Sequence, residues 1–204
     1  TSYMAIRSKF DFVGGYEEDK KGGLLHVADH HVSPGKKQWT WGNGDFGVAW
    51  DRNLTDEDGP YIELMTGVYT DNQPDFTWLQ PYEEKSWVQY FMPYAEVGYV
   101  KNATKDLILN VDVQGNNTKL ILYATGKQPK VRVLVKDVSD KILFDNTVNV
   151  SPAEPFCVEF PSNGVLAENM ITDIYGQDGR LLLTYKADKE EIKPLPNPAE
   201  AAKD

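Results

Sequence analysis

The pattern of apolar and polar positions changes character about halfway along the chain. From residue 106 onward, short runs alternate with a period of two. Leu107, Leu109, Val111 and Val113 share one face of Asp106–Val113. Similar runs follow at Lys119–Thr125, Lys130–Lys136, Lys141–Val150, Pro155–Phe160, Met170–Tyr175 and Arg180–Lys186. Gln114-Gly115-Asn116-Asn117, Gly126-Lys127 and Gln177-Asp178-Gly179 are turn signals between them. Seven such strands within about 80 residues predict an immunoglobulin-like β-sandwich. Leu109, Val111, Leu120, Leu122, Val131, Val133, Phe156 and Leu182 should face inward.

The first half is less regular. Tyr3–Val13 reads as a strand ended by Gly14-Gly15, and Gly23–Val27 as the next. Ser33–Gly59 is dense in Gly, Asn, Asp and Trp and reads as a long functional connection. Tyr61–Tyr69 and Lys85–Pro93 read as strands joined by the loop Thr70–Tyr82. The expected boundary lies near 97–105. Glu190–Asp204, rich in Pro, Ala, Lys and Glu, reads as a linker.

Composition sharpens this division. All five Trp and all three His lie between His26 and Trp87. Residues 1–100 carry 8 Lys+Arg against 16 Asp+Glu, and residues 101–204 carry 13 against 15. A net charge of −10 with dispersed basic residues argues against nucleic acid as a partner. No apolar run is long enough for a helical membrane span. The single cysteine, Cys157, excludes an internal disulfide, and its apolar neighbours make it a small core residue. The chain opens directly on a strand-like segment, as expected if something was removed upstream or if this is a piece of a longer protein.

Two stretches resemble known families. Tyr61-Ile62-Glu63-Leu64-Met65, then Thr70-Asp71-Asn72-Gln73-Pro74-Asp75-Phe76 and the strand Trp87–Tyr94, resemble the carboxy-terminal part of aldose 1-epimerases. The stretch from His26 through Asp29-His30-His31-Val32-Ser33-Pro34-Gly35 to Trp39-Thr40-Trp41-Gly42, together with 54–59, resembles a bacterial mutarotase-like domain of unknown function that commonly precedes tetratricopeptide repeats. The resemblance covers residues 1–100. It implies an all-β fold: the final part of a galactose-mutarotase-like supersandwich, followed over 101–188 by the immunoglobulin-like sandwich and over 189–204 by the linker. It also implies carbohydrate as the ligand and tetratricopeptide repeats downstream. With part of the supersandwich missing, residues 1–95 should leave an edge or apolar face open, so the chain should self-associate or pair with an upstream part.

In this comparison Glu63 is the general base, taking the anomeric hydroxyl proton. The alternative is an exposed strand residue or a structural ion-pair partner. The acid His of the epimerases lies far upstream of the Glu, so no histidine here inherits that role. With one catalytic group, the chain alone should lack substantial turnover. Trp39 and Trp41, with Trp50 and Trp78, offer flat faces to sugar rings or else pin loops to the sheet. Asp45, Asp51, Arg52, Asn72, Gln73 and Asp75 could bond hydroxyls. His30 or His31 could stand at the rim of a sugar site, or all three histidines could bond loop backbone. His26 and His30, four apart on an extended strand, would share a face, with Asp29 and His31 opposite. That spacing alone assigns no metal, nor does the acidic loop Asp51–Asp58. No cofactor is expected. A non-enzymatic protein-interaction module linked to a repeat array is the competing reading.

Overall fold

The computed structural model describes residues 2–5, 8–55, 57–70 and 76–189. The molecule is all-β, built from four antiparallel sheets. The second half forms a two-sheet sandwich. Its strands are β8 (Leu107–Gln114), β9 (Asn117–Ala124), β10 (Gln128–Asp137), β11 (Ile142–Val150), β12 (Phe156–Pro161), β13 (Met170–Tyr175) and β14 (Leu181–Lys186). One sheet runs β12-β9-β8, extended at its edge by β7 (Asn102–Ala103), and the other runs β11-β10-β13-β14. Lettered in chain order A, B, C, C′, E, F, G, these are the A-B-E and C′-C-F-G sheets of an immunoglobulin-like sandwich. Gly115 opens the two-residue turn between β8 and β9 at φ 60°, the sign a type II′ hairpin needs at its first loop residue.

The sandwich core contains Leu107, Leu109, Val111, Leu120, Leu122, Val131, Val133, Val135 and Ile174, all buried. Phe156 and Leu182 pack against it only half-buried, and Leu183 takes the fully inward place. A register shift between Ile174 and Tyr175 in the β13–β14 pairing accounts for that one-residue difference.

Strands β8 and β9 of the A-B-E sheet are buried on both faces at their centres. Leu107-Ile108-Leu109 and Leu120-Ile121-Leu122 are continuous apolar runs, as such a strand requires. Their even-odd partners Ile108 and Ile121 turn away from the sandwich and join Leu25, Val27, Met92, Tyr94, Val97 and Ala103 in a second core. That core lies against the sheet β2-β3-β6, made of β2 (Phe12–Glu17), β3 (Gly22–Val27) and β6 (Tyr90–Ala95). Asn110 donates its amide to the Val97 carbonyl at 2.8 Å, and Asn102 donates to the Thr184 carbonyl at 2.7 Å. Cys157 pairs with Ile121 on the edge strand β12 but is exposed, against the expectation of a core thiol.

The fourth sheet, β1 (Ser2–Met4), β4 (Lys37–Thr40) and β5 (Ile62–Met65), runs β1-β4-β5. The first half therefore departs from the sequence reading in several places. Gly14 and Gly15 lie inside β2 rather than ending a strand. A Cβ on Gly14 would sit 2.4 Å from the Leu24 carbonyl oxygen, so glycine is there for close approach of two strands. The stretch 33–59 contains β4 and an α-helix, α1 (Asp45–Thr55), rather than an unbroken connection. The strands expected at 61–69 and 85–93 are β5 and β6, shorter or shifted.

Candidate functional site

Glu63 stands on β5 opposite Trp39 on β4. Strand alternation puts Glu63, Met65, Trp39 and Lys37 on one face and Ile62, Leu64, Gln38 and Thr40 on the other. The Tyr61 hydroxyl, two residues back on the same face, donates to Glu63 Oε1 at 2.9 Å. That bond to the carboxylate, with its charge, raises the Tyr61 pKa and keeps the phenol a donor.

Beside this pair lies an aromatic cluster assembled by α1. Trp41 stacks on Trp50 with centroids 5.1 Å apart, and Phe46 meets both edge-on. Trp39 contacts Trp41 at 4.6 Å and Tyr61 at 6.4 Å. The helix is drawn tight against the end of β4 by Gly47, whose absent Cβ would meet the carbonyl oxygens of Gly42 and Trp41 at 2.5 and 2.6 Å. Trp39 and Trp41 are half-buried, whereas Trp50 and Phe46 are exposed. The indole N–H of Trp41 is buried with no hydrogen-bond partner.

Among the charged residues expected at a sugar, Asp45 lies in the first turn of α1, where its charge suits the positive helix end. Asp51 accepts the Tyr61 backbone N–H at 2.9 Å and so ties the helix to β5. Arg52 reaches back to the Val48 carbonyl of its own helix at 3.4 Å. Asn72, Gln73 and Asp75 lie outside the described residues. Trp78, edge-to-face with Phe76, is 72% exposed and does not touch the cluster through a ring contact.

The histidines belong elsewhere. His26 is buried in β3, its Nε2 3.0 Å from Gln89 Oε1, and desolvation pulls its pKa down. His30 and His31 sit in the turn after β3. His30 Nδ1 is 2.6 Å from Asp11 Oδ1, and His31 Nδ1 is 3.0 Å from Asp29 Oδ1. Their side chains thus engage carboxylates rather than loop backbone. The expected common face of His26 and His30 does not form, because the strand ends at Val27.

Three cavities surround these elements. An open groove of about 1100 Å³ runs along the other face of β5, lined by Ile62 and Leu64 with Tyr16, Glu17, Leu24 and Asp58. Glu63 is not among its lining residues. A second, about 330 Å³, has buried Lys36 in its wall. The Lys36 ammonium donates to the Phe10 carbonyl, and burial pulls its pKa down, with Asp11 opposing. A third, about 370 Å³, is lined by Asp11, Asp29, Trp87, Tyr90 and Lys105. Sequence reasoning passed over Tyr61, Phe46, Asp11 and Lys36. Tyr61 was accessible through its two-residue offset from Glu63; the others carry no local signal.

The fold and this surface define a two-part all-β protein: an immunoglobulin-like sandwich packed on smaller sheets that carry an aromatic–carboxylate cluster. Residues 1–94 match the family model described as Domain of unknown function (DUF5107). Residues 102–185 match the model described as YphG-like protein, second domain. Neither description names a ligand or a reaction. No solved structure matches the chain significantly. Among the described residues, no helix is long and apolar enough to cross a membrane.

Proposed function

We propose that residues 1–100 are the closing portion of a mutarotase-like saccharide-binding domain, with the sandwich over 101–188 and the linker over 189–204 joining it to further parts of a longer protein. The observation that supports this most is Glu63 on a rigid strand, hydrogen-bonded by Tyr61 and paired opposite Trp39, from which the ring contacts run on to Trp41 and Trp50. Carboxylate plus flat aromatic face is the chemistry that recognises a sugar ring: C–H faces on the indole, hydroxyls on the acid. In the resemblance to aldose 1-epimerases, Glu63 is the base and Asn72, Gln73 and Asp75 contribute to the rim.

The test is a saccharide array probed with this chain and with the longer protein, each compared with Glu63→Gln and Trp50→Ala. Binding that both substitutions weaken supports the reading; binding indifferent to both removes it. If the longer protein turns over a sugar, Glu63→Gln should cost at least about 100-fold in rate with stability retained. The isolated chain should show no substantial epimerase or glycosidase turnover, because the resemblance supplies only one catalytic group, Glu63.

A second reading is favoured by a separate observation. Tyr3, Leu24, Ile62, Leu64 and Phe91 are all more than 40% exposed on the small sheets. Apolar positions in that number on strand faces mark an association surface. In that reading the chain is an interaction module, and its partner is a second copy or an upstream segment.

A further inference from the structure

We propose that Asp29, His30 and His31 bind a divalent transition-metal ion, with Asp11 as the outer carboxylate that fixes His30. One donor atom from each of the three lies within 4.8 Å of the others. Tetrahedral zinc, with bonds of roughly 2.0–2.2 Å to nitrogen and oxygen, needs donors about 3.3 Å apart. Binding an ion therefore requires the three side chains to draw together.

The hydrogen bonding around the cluster is that of a prepared ligand set. Asp11 Oδ1, 2.6 Å from His30 Nδ1, places the proton on Nδ1 and leaves Nε2 with its lone pair. A carboxylate behind a histidine in this way orients metal-binding imidazoles and strengthens them as ligands. The same Asp11 oxygen accepts the His30 backbone N–H at 2.9 Å, and the Asp11 carbonyl accepts the Ala28 N–H at 2.8 Å. The Asp29 carbonyl accepts from Val32 and Ser33, and its carboxylate accepts the His31 N–H. The backbone of all three donors is therefore set without an ion.

The two imidazoles lie side by side, centroids 3.9 Å apart and tilted by 39°. That places both rings on one side of the turn, and the rings must splay apart for a nitrogen of each to reach one cation. Two nitrogens and one oxygen select zinc or a neighbouring first-row metal over calcium or magnesium. Asp29 and His31 are mostly solvent-accessible, which gives the ion a route in. Three protein donors leave a coordination position open. Asp11 and Asp29 also line the 370 Å³ cavity that holds Trp87 and Tyr90. A small oxygen ligand taken up there could complete the coordination sphere. The inference stands independently of the saccharide reading.

The experiment is calorimetric titration of the metal-stripped 204-residue chain with zinc chloride at neutral pH. Cobalt chloride and its visible absorption report the nitrogen ligands directly. One ion per chain with a Kd in the micromolar range or below is expected. His31→Ala, at a mostly exposed position, should weaken it at least about ten-fold without unfolding the turn, and Asp11→Asn should weaken it by about ten-fold or more. His26→Gln should leave it unchanged, and calcium should not compete. Zinc binding no tighter than about 1 mM would overturn the proposal. So would tight binding that His31→Ala leaves intact, or that calcium displaces at equal concentration.

Discussion

Single residues in this molecule are decided by what the next strand brings to them. His26 alternates into the interior of the β2-β3-β6 sheet, where Phe91 meets it edge-on and Gln89 takes its Nε2. Its Nδ1 is buried without a partner. Desolvation is the largest influence on its pKa and lowers it from the ordinary 6.5; Gln89 partly opposes, and Lys36 adds to the lowering. The sign follows from proton counting. Below 6.5 the unfolded chain takes a proton that the folded protein resists, so the unfolded state binds more protons in that window. The stability tied to neutral His26 is whole above 6.5 and declines as pH falls toward the lowered folded value. Urea midpoints measured between about pH 7.5 and 5 should fall with acid, and His26→Gln should flatten part of that fall. An unchanged slope in the variant would show that the acid sensitivity lies with other groups. Glu63 obeys the same logic of neighbours: alternation set its face, and Trp39 and Tyr61 made that face aromatic and hydrogen-bonding.

At the scale of elements, close approach does the positioning. Helix α1 has only Gly47 buried among its residues and is held through Trp41 on Trp50 and Asp51 on the Tyr61 backbone. Gly47→Ala would place a methyl 2.5 Å from the Gly42 carbonyl oxygen, and backbone rather than a flexible side chain would have to move. We expect a loss of about 1–3 kcal/mol in unfolding free energy and altered tryptophan fluorescence, because α1 must lift from β4. Gly14→Ala should destabilise the β2–β3 pair by a similar mechanism. In the sandwich, Leu122 is fully buried between the sheets, and Leu122→Ala should cost about 2–5 kcal/mol by denaturant titration. Leu181 at the end of β14, 48% exposed, should cost far less when truncated the same way.

For the whole molecule, the second core decides how the parts depend on one another. The sandwich has its own interior, but Ile108, Ile121 and Tyr123 on its outer face are covered by Leu25, Met92 and Tyr94 from the first half. A fragment of residues 101–189 should fold, as judged by circular dichroism and dispersed amide resonances, and should bind a hydrophobic dye through the uncovered Ile108–Ile121 strip. A fragment of residues 1–100 should not fold cooperatively, because its share of that core is one-sided. The open faces of the small sheets carry a prediction for the intact chain as well. Light scattering should show association, and Ile62→Lys with Leu64→Glu should reverse it, since charges on an exposed strand face block pairing. A monodisperse monomer without those substitutions would count against the association surface.

Much of the sandwich could be read in advance because its determinants are local. Period-two alternation places Leu109, Val111, Leu120, Leu122, Val131 and Val133 inward whatever lies beyond, and Gly115 marks its turn by the φ it must adopt. The resemblance of 61–76 singled out Glu63 in the same local way. Elsewhere the determinants are contacts between distant segments, which no window of sequence contains. Ile108 and Ile121 are buried because another sheet covers them, and Cys157 on the same face is exposed because it lies at the edge. Gly14 continues a strand because a neighbouring backbone needs its missing side chain. Asp11 reaches His30 only because β2 returns beside the end of β3. Alternation along a strand is a property of the chain; which side finds a partner is a property of the assembled sheets.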